Sequence, residues 1–226
     1  YTTPARLVAI DLDGKKLWEL GDTANLAGTA GAGREPTCRG IAAISDVNDD
    51  GRSEVLAEFW QDGKPTLCLI DGKTGAIKRQ VESPLDMSVR NPKGYRSWRP
   101  VPMALIARLD GPNAPVTIVL KYEASNTIPV HIVGLDPNLN VKWRHKLRPT
   151  AAGHIPKVAD IGGDGRETVL LGETAIGGNG KIVWQRDFGI HADCTDAAEL
   201  VPSSPGKEIV VSICQKGPLY CLSAKG

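Results

Sequence analysis

Residues 41–58 read IAAISDVNDDGRSEVLAE, and residues 155–172 read IPKVADIGGDGRETVLLG. Each is a short apolar run, an Asp-x-x-x-Asp-Gly-Arg turn and a second apolar run, the signature of two strands joined by a tight connection. Pro102–Tyr122 and Thr195–Ile213 repeat the two-strand pattern with degraded turns. After these pairs comes a second kind of hairpin, in Leu7–Trp18 (LVAIDLDGKKLW), Leu67–Lys78 (LCLIDGKTGAIK) and Ile132–Trp143 (IVGLDPNLNVKW). Two hairpin types therefore alternate at a spacing of roughly 50 residues, the period of propeller blades. No stretch sustains the i, i+3, i+4, i+7 spacing of an amphipathic helix. The predicted fold is all-β, a β-propeller of four-stranded antiparallel blades. A β-sandwich with regular turn signals is the competing architecture.

The phase of the repeat sets the expected organisation. The sequence predicts a ragged blade over 1–20, full blades over 40–81, 102–147 and 154–187, and an incomplete blade over 194–226. A ring of seven or eight blades needs about 350–400 residues at this period. The 226 residues are therefore expected to form part of a propeller whose remaining blades lie on another segment or chain.

Composition narrows the function classes. Lys+Arg total 27 and Asp+Glu total 26, a formal charge of +1. A bulk nucleic-acid binder needs a concentrated basic surface, so no nucleic-acid partner is expected. No apolar run approaches the ~20 residues of a membrane span, and no signal-peptide pattern opens the chain. With 25 Gly and 16 Pro, the chain reads as soluble, globular and turn-rich.

Asp46, Asn48 and Asp50 place oxygen donors at positions 1, 3 and 5 of a loop followed by Gly51. Alternate side chains of such a loop point inward, and an all-oxygen set suits calcium (Ca2+). The alternative is an Asx turn whose carboxylates bind only their own backbone. Asp160 and Asp164 keep the first and fifth positions, but Gly162 replaces the third donor. The five cysteines form no CxxC pair, which argues against structural zinc. Antiparallel pairing of the last blade sets Cys194 opposite Cys214, as a cross-strand disulfide or as two reduced thiols.

In a propeller, the fourth-to-first and second-to-third strand connections share one face. Long connections at 21–39 and 82–101 bring Arg34, Arg39, Tyr95, Arg96, Trp98 and Arg99 there. Later connections bring His154, then His191 with Asp193. Second-strand ends add Glu58, Trp60, Lys121, Tyr122 and Glu123. Arg, His, Tyr and Trp around one mouth suit an anionic carbohydrate. His131 and His145 lie within hairpins and read as structural. Trp18, Trp143 and Trp184 recur at one repeat position and read as core.

The stretch from Asp160, DIGGDGRETVLLGETAIGGNGKIVWQRDFGIHADCTDAAEL followed by VPSSPGKEIVV, resembles the propeller rhamnogalacturonan lyases. The resemblance carries FG-GAP-type calcium turns and a His-x-Asp segment, which falls on His191–Asp193. It implies a secreted, calcium-containing polysaccharide lyase acting on rhamnose- and uronate-containing glycans. β-Elimination needs the uronate carboxylate neutralised and a base beside C5. Arg39, Arg96 or Arg99 is the candidate neutraliser. His191, His154, Tyr95 and Tyr122 are candidate acids or bases, and Arg99 completes the catalytic set. Arg39, Arg96, Trp98, Lys121 and Asp193 are candidate substrate contacts. A glycoside hydrolase on the same scaffold and a non-catalytic FG-GAP binding propeller remain open. A lyase makes an ultraviolet-absorbing unsaturated uronate, a hydrolase only reducing ends, and a binder neither.

Overall fold

In the computed structural model of the protein, residues 6–21, 38–61, 64–84, 101–123, 129–149, 151–214 and 217–226 are described. The chain divides into two compact units, 1–104 and 105–226. In the first unit, β1 (Leu7–Ile10) and β2 (Lys16–Leu20) form a hairpin. A four-stranded antiparallel sheet follows from β3 (Cys38–Ser45), β4 (Glu54–Gln61), β5 (Lys64–Asp71) and β6 (Ile77–Glu82). Leu7, Val55, Ala57, Phe59, Cys68 and Ile70 form their shared core.

The second unit begins within β7 (Val101–Ala107), which pairs in a four-stranded sheet with β8 (Thr117–Glu123), β9 (Val130–Leu135) and β10 (Val141–Leu147). Next come β11 (Lys157–Ala159), β12 (Thr168–Leu171), β13 (Thr174–Ile176) and β14 (Ile182–Gln185), again one antiparallel sheet. The last sheet has three strands, β15 (Ala192–Ala198), β16 (Glu208–Ile213) and β17 (Leu219–Leu222). Sequential strands are neighbours in every sheet.

The apolar runs are continuous because the β11–β14 sheet is buried on both faces. Val169, Leu171 and Ile176 enter the core shared with Val119, Ile132 and Leu147. Leu170, Ala175 and Trp184 enter the core shared with Ile209, Val211 and Ile213. Alternate residues thus serve two different cores, which is the two-residue period of a strand applied to a sandwiched sheet.

The turns follow an Asp code. Asp11 Oδ1 accepts the Lys15 N–H at 2.8 Å, Asp71 Oδ1 the Thr74 N–H at 2.8 Å, and Asp136 Oδ1 the Asn140 N–H at 2.8 Å. All three close the recurring hairpin as Asx turns, satisfying backbone donors that the ladder leaves open. The repeated tryptophans pack against glycines: Trp18 over Gly75, Trp143 over Gly134 and Gly180, Trp184 over Gly226. Only Trp184 is fully buried; Trp18 and Trp143 are half-buried at core margins.

The Cys194–Cys214 pairing is not formed. From Ala198↔Glu208 to Cys194↔Ser212 the ladder keeps one register, two residues away from a Cys194–Cys214 pairing, so Cys194 faces Ser212 and the Cys214 N–H meets the His191 carbonyl at 3.0 Å. Cys68, Cys194, Cys214 and Cys221 are free thiols.

Gly134 faces Trp143 across the ladder, and a Cβ there would lie 2.1 Å from the indole. Gly134→Ala should therefore cost roughly 1–3 kcal/mol by overpacking. Combining it with Trp143→Leu should give less than the sum of the single losses. Urea unfolding of the three variants measures both.

Candidate functional site

Three chain segments converge at one edge of the second unit: the end of β8, the approach to β11, and the start of β15. The Asp193 carbonyl accepts the His154 N–H at 2.6 Å and the Ile155 N–H at 3.2 Å. Ile155 also forms a parallel bridge with Cys194. This junction sets the two imidazoles against each other, Nε2 to Nε2 at 3.0 Å with ring centroids 4.4 Å apart. Asp193 Oδ1 lies 3.5 Å from His191 Nε2 and 3.9 Å from His154 Nε2. Glu123 Oε1 stands 3.9 Å from His154 Nδ1. The His154 side chain is 57% exposed and that of His191 only 9%, so solvent reaches the pair from the His154 side.

The contact fixes proton roles. At 3.0 Å one Nε2 must donate to the other. His191 Nδ1 is buried without a hydrogen-bond partner, and an orphaned lone pair is better tolerated than an orphaned N–H. His191 is thereby assigned as the Nε2–H donor and His154 as the acceptor, whose Nδ1–H then faces Glu123.

His154, His191 and Asp193 each offer a ligand atom, all within 4.8 Å of one another. Ligands about 2.0–2.1 Å from a tetrahedral ion stand about 3.3–3.4 Å apart, close to the spacings here. Two imidazoles and one carboxylate fit a divalent cation that accepts nitrogen better than calcium, which prefers six to eight oxygens.

Beside this group lies a second charged cluster that the sequence reading missed. Arg148 Nη2 donates to Glu173 Oε1 at 2.6 Å and to Asp187 Oδ1 at 2.6 Å. Burial pushes the Glu173 carboxyl up, the Phe188 N–H and Arg148 pull it down, and Asp187 adds to the rise; the balance is upward. Its signal in the sequence is faint: a Gly-Glu step closing a fully apolar strand. A groove of about 820 Å³ lined by Asp110, Asp164, Arg166, Asn179, Lys181 and Lys225 opens among turns and does not include the histidines.

Of the sequence candidates, His154, His191 and Asp193 are brought together. Lys121 and Tyr122 are both enclosed, and as neighbours on one strand they point to opposite faces. Tyr122 is 1% exposed, enclosed on the far face of β8. Lys121 is on the near face but only 3% exposed; its ammonium is held by the Gly153 carbonyl and by Glu123 Oε2 at 2.7 Å. It is not open to substrate. Arg39 lies in β3, while Tyr95, Arg96, Trp98 and Arg99 fall outside the described residues. His145 is structural, with Nε2 2.6 Å from the Gly180 carbonyl.

The Asp46 turn is closed by its own backbone. Asp46 Oδ2 accepts the Gly51 N–H at 2.8 Å, Asn48 Oδ1 the Asp50 N–H at 3.0 Å, and Asp50 Oδ1 the Arg52 N–H at 2.9 Å. The Lys78 ammonium sits 2.6 Å from Glu54 Oε1 and 3.5 Å from Asp50 Oδ2. As arranged, these residues fit the Asx-turn alternative; a cation would have to displace Lys78 from Asp50.

No family model matches the chain. Among curated proteins, the rhamnogalacturonan endolyase YesW of Bacillus subtilis (strain 168) is 25% identical over 259 residues, covering 99% of this chain and 40% of YesW. The rhamnogalacturonan exolyase YesX of the same organism is 24% identical over 243 residues, covering 92% of this chain and 38% of YesX. The chain therefore spans about 40% of the length of these relatives. The crystal structure of rhamnogalacturonan lyase YesW superposes with a TM-score of 0.74 at 19% identity, over 97% of this chain and 42% of that one. That likeness establishes a shared all-β fold of antiparallel sheets.

The turns predict acid sensitivity. Burial pushes the Asp160 carboxyl up, but the N–H groups of Gly165, Gly163 and Asp164 outweigh it and hold it below its ordinary value. The Val201 and Leu200 N–H groups do the same for Glu208, against a smaller burial effect. A carboxyl lowered on folding contributes stability above its unfolded pKa of about 4, lost as pH falls through the folded value. The melting temperature should fall as pH drops from neutral through the carboxylate range. Asp160→Asn with Glu208→Gln should flatten that fall.

Proposed function

We propose that the chain is part of a polysaccharide lyase that cleaves a rhamnose- and uronate-containing glycan by β-elimination, with His154, His191 and Asp193 at its active centre. The observation that carries the reading is the 3.0 Å contact of two imidazoles beside a carboxylate. The distant similarity to rhamnogalacturonan lyases supports the substrate class. We place the protein outside the cell, where such polymers occur, and read its stacked four-stranded sheets as propeller blades.

In this mechanism His154, the more exposed imidazole, takes the proton from C5 of the uronate at its Nε2. It must first give up the hydrogen bond from His191; the C4–C5 double bond then forms as the C4–O bond breaks, the His191 N–H hydrogen-bonds the leaving oxygen, and that oxygen receives the proton that His154 has taken. Asp193 and Glu123 stabilise the imidazolium that results. Removal of that proton is feasible only when the adjoining carboxylate is neutralised. Arg96, Arg99 and Arg39 are the chain's proposed neutralisers, with Trp98 and Tyr95 against the sugar rings. Calcium is proposed separately, as a structural ion at Asp46, Asn48 and Asp50 that takes the place of the Lys78 ammonium beside Asp50.

The test is product analysis on rhamnogalacturonan, ulvan and gum arabic with the intact protein. Ultraviolet-absorbing unsaturated uronate is expected; reducing ends without it identify a hydrolase, and no cleavage a binding protein. His191→Ala should lower turnover by roughly 10²–10⁴-fold, as for loss of an acid or base. Full activity in that variant moves the site elsewhere.

A further inference from the structure

We propose that Lys121 is a positioning residue of the two-histidine centre: it fixes the Gly153 carbonyl and the Glu123 carboxylate so that His154 meets His191 and Asp193. The inference rests on the reading of that centre as the active one. Lys121 itself touches no substrate.

The face of β8 that carries Lys121 has no need of a charge. Val119 precedes it on the same face, Ile132 stands across from it in the ladder, and both belong to the apolar core. An apolar side chain at 121 would extend that core, whereas a buried ammonium is costly unless oxygen atoms receive it. The oxygens that receive it border the histidines. One is the carbonyl of Gly153, the residue before His154. The other belongs to Glu123, whose second oxygen faces His154 Nδ1.

Gly153 is held on its other side by backbone. Its φ is +58°, and a Cβ there would lie 3.0 Å from the Asp193 carbonyl oxygen and 3.2 Å from that of Ala192. Gly153 and His154 are therefore clamped between the Lys121 ammonium and the strand that carries Asp193. Release of the ammonium frees Gly153 to shift, and His154 shifts with it. Misplacement of a reacting group by about 1 Å can cost about 10²-fold in rate.

The experiment uses the intact protein, labelled with ¹⁵N at histidine, as wild type, Lys121→Met and Lys121→Arg. This chain has four histidines, so the ring signals can be assigned by substitution. Lys121→Met is expected to keep its melting cooperativity, to move the His154 and His191 ring signals, and to lose about 10²-fold in kcat with KM little changed. Lys121→Arg, which retains the donors, should recover part of both. If Lys121→Met does not fold, Lys121→Gln is read in its place, with displaced His154 and His191 signals and lowered kcat expected. Unmoved ring signals with unchanged kcat in the folded variant overturn the proposal. So does a loss confined to KM, which would make Lys121 a substrate contact. Should His191→Ala prove fully active, the assignment of the active centre fails, while the ring signals still decide whether Lys121 positions His154.

Discussion

The carbonyl of Asp193 accepts two backbone N–H groups, from His154 and Ile155, and the site depends on that junction. Without it, the approach to one sheet and the first strand of the next would be joined mainly through side chains, among them the His154–His191 contact and the Lys157–Asp196 ion pair. Backbone hydrogen bonds are directional, so this pair fixes register as well as distance. His154 and Asp193 are joined through the main chain, and His191 immediately precedes the strand that carries Asp193. Side-chain convergence is thus a consequence of backbone geometry.

The scaffold beneath is suited to holding such a junction still. The β11–β14 sheet packs on both faces, with Val169 and Leu171 in one core and Leu170 in the other. A sheet sandwiched in this way cannot tilt without opening one core or overpacking the other. Its turns are closed by carboxylates on backbone donors rather than by long flexible links. The β12–β13 turn is held by a side chain of the next sheet. Gly172 donates to Thr195 Oγ1 at 2.9 Å, tying that turn to β15 beside the histidines.

Much of this was legible in the sequence. The alternating hairpins around Asp11, Asp71 and Asp136 announced the strands, because each Asx turn needs its Asp at the same place in the repeat. His154, His191 and Asp193 were legible from topology, since each precedes or opens a first strand. The burial of Lys121 and Tyr122 was not legible from end-of-strand placement alone, because strand alternation sends these neighbours to opposite faces. Cys194 was set opposite the wrong residue because the pairing register of β15 and β16, two residues away from the one expected, leaves no mark in composition. The Arg148–Glu173–Asp187 cluster joins residues far apart in the chain, and only the packed sheets bring them together.

The most direct measurement is a crystal structure of the intact protein with His191 replaced by Ala, soaked with a rhamnogalacturonan oligosaccharide. The account predicts a uronate seated at His154 and Asp193, with the hydrogen on C5 directed at His154 Nε2. A glycan bound elsewhere, with His154 and Asp193 facing only solvent, would contradict it.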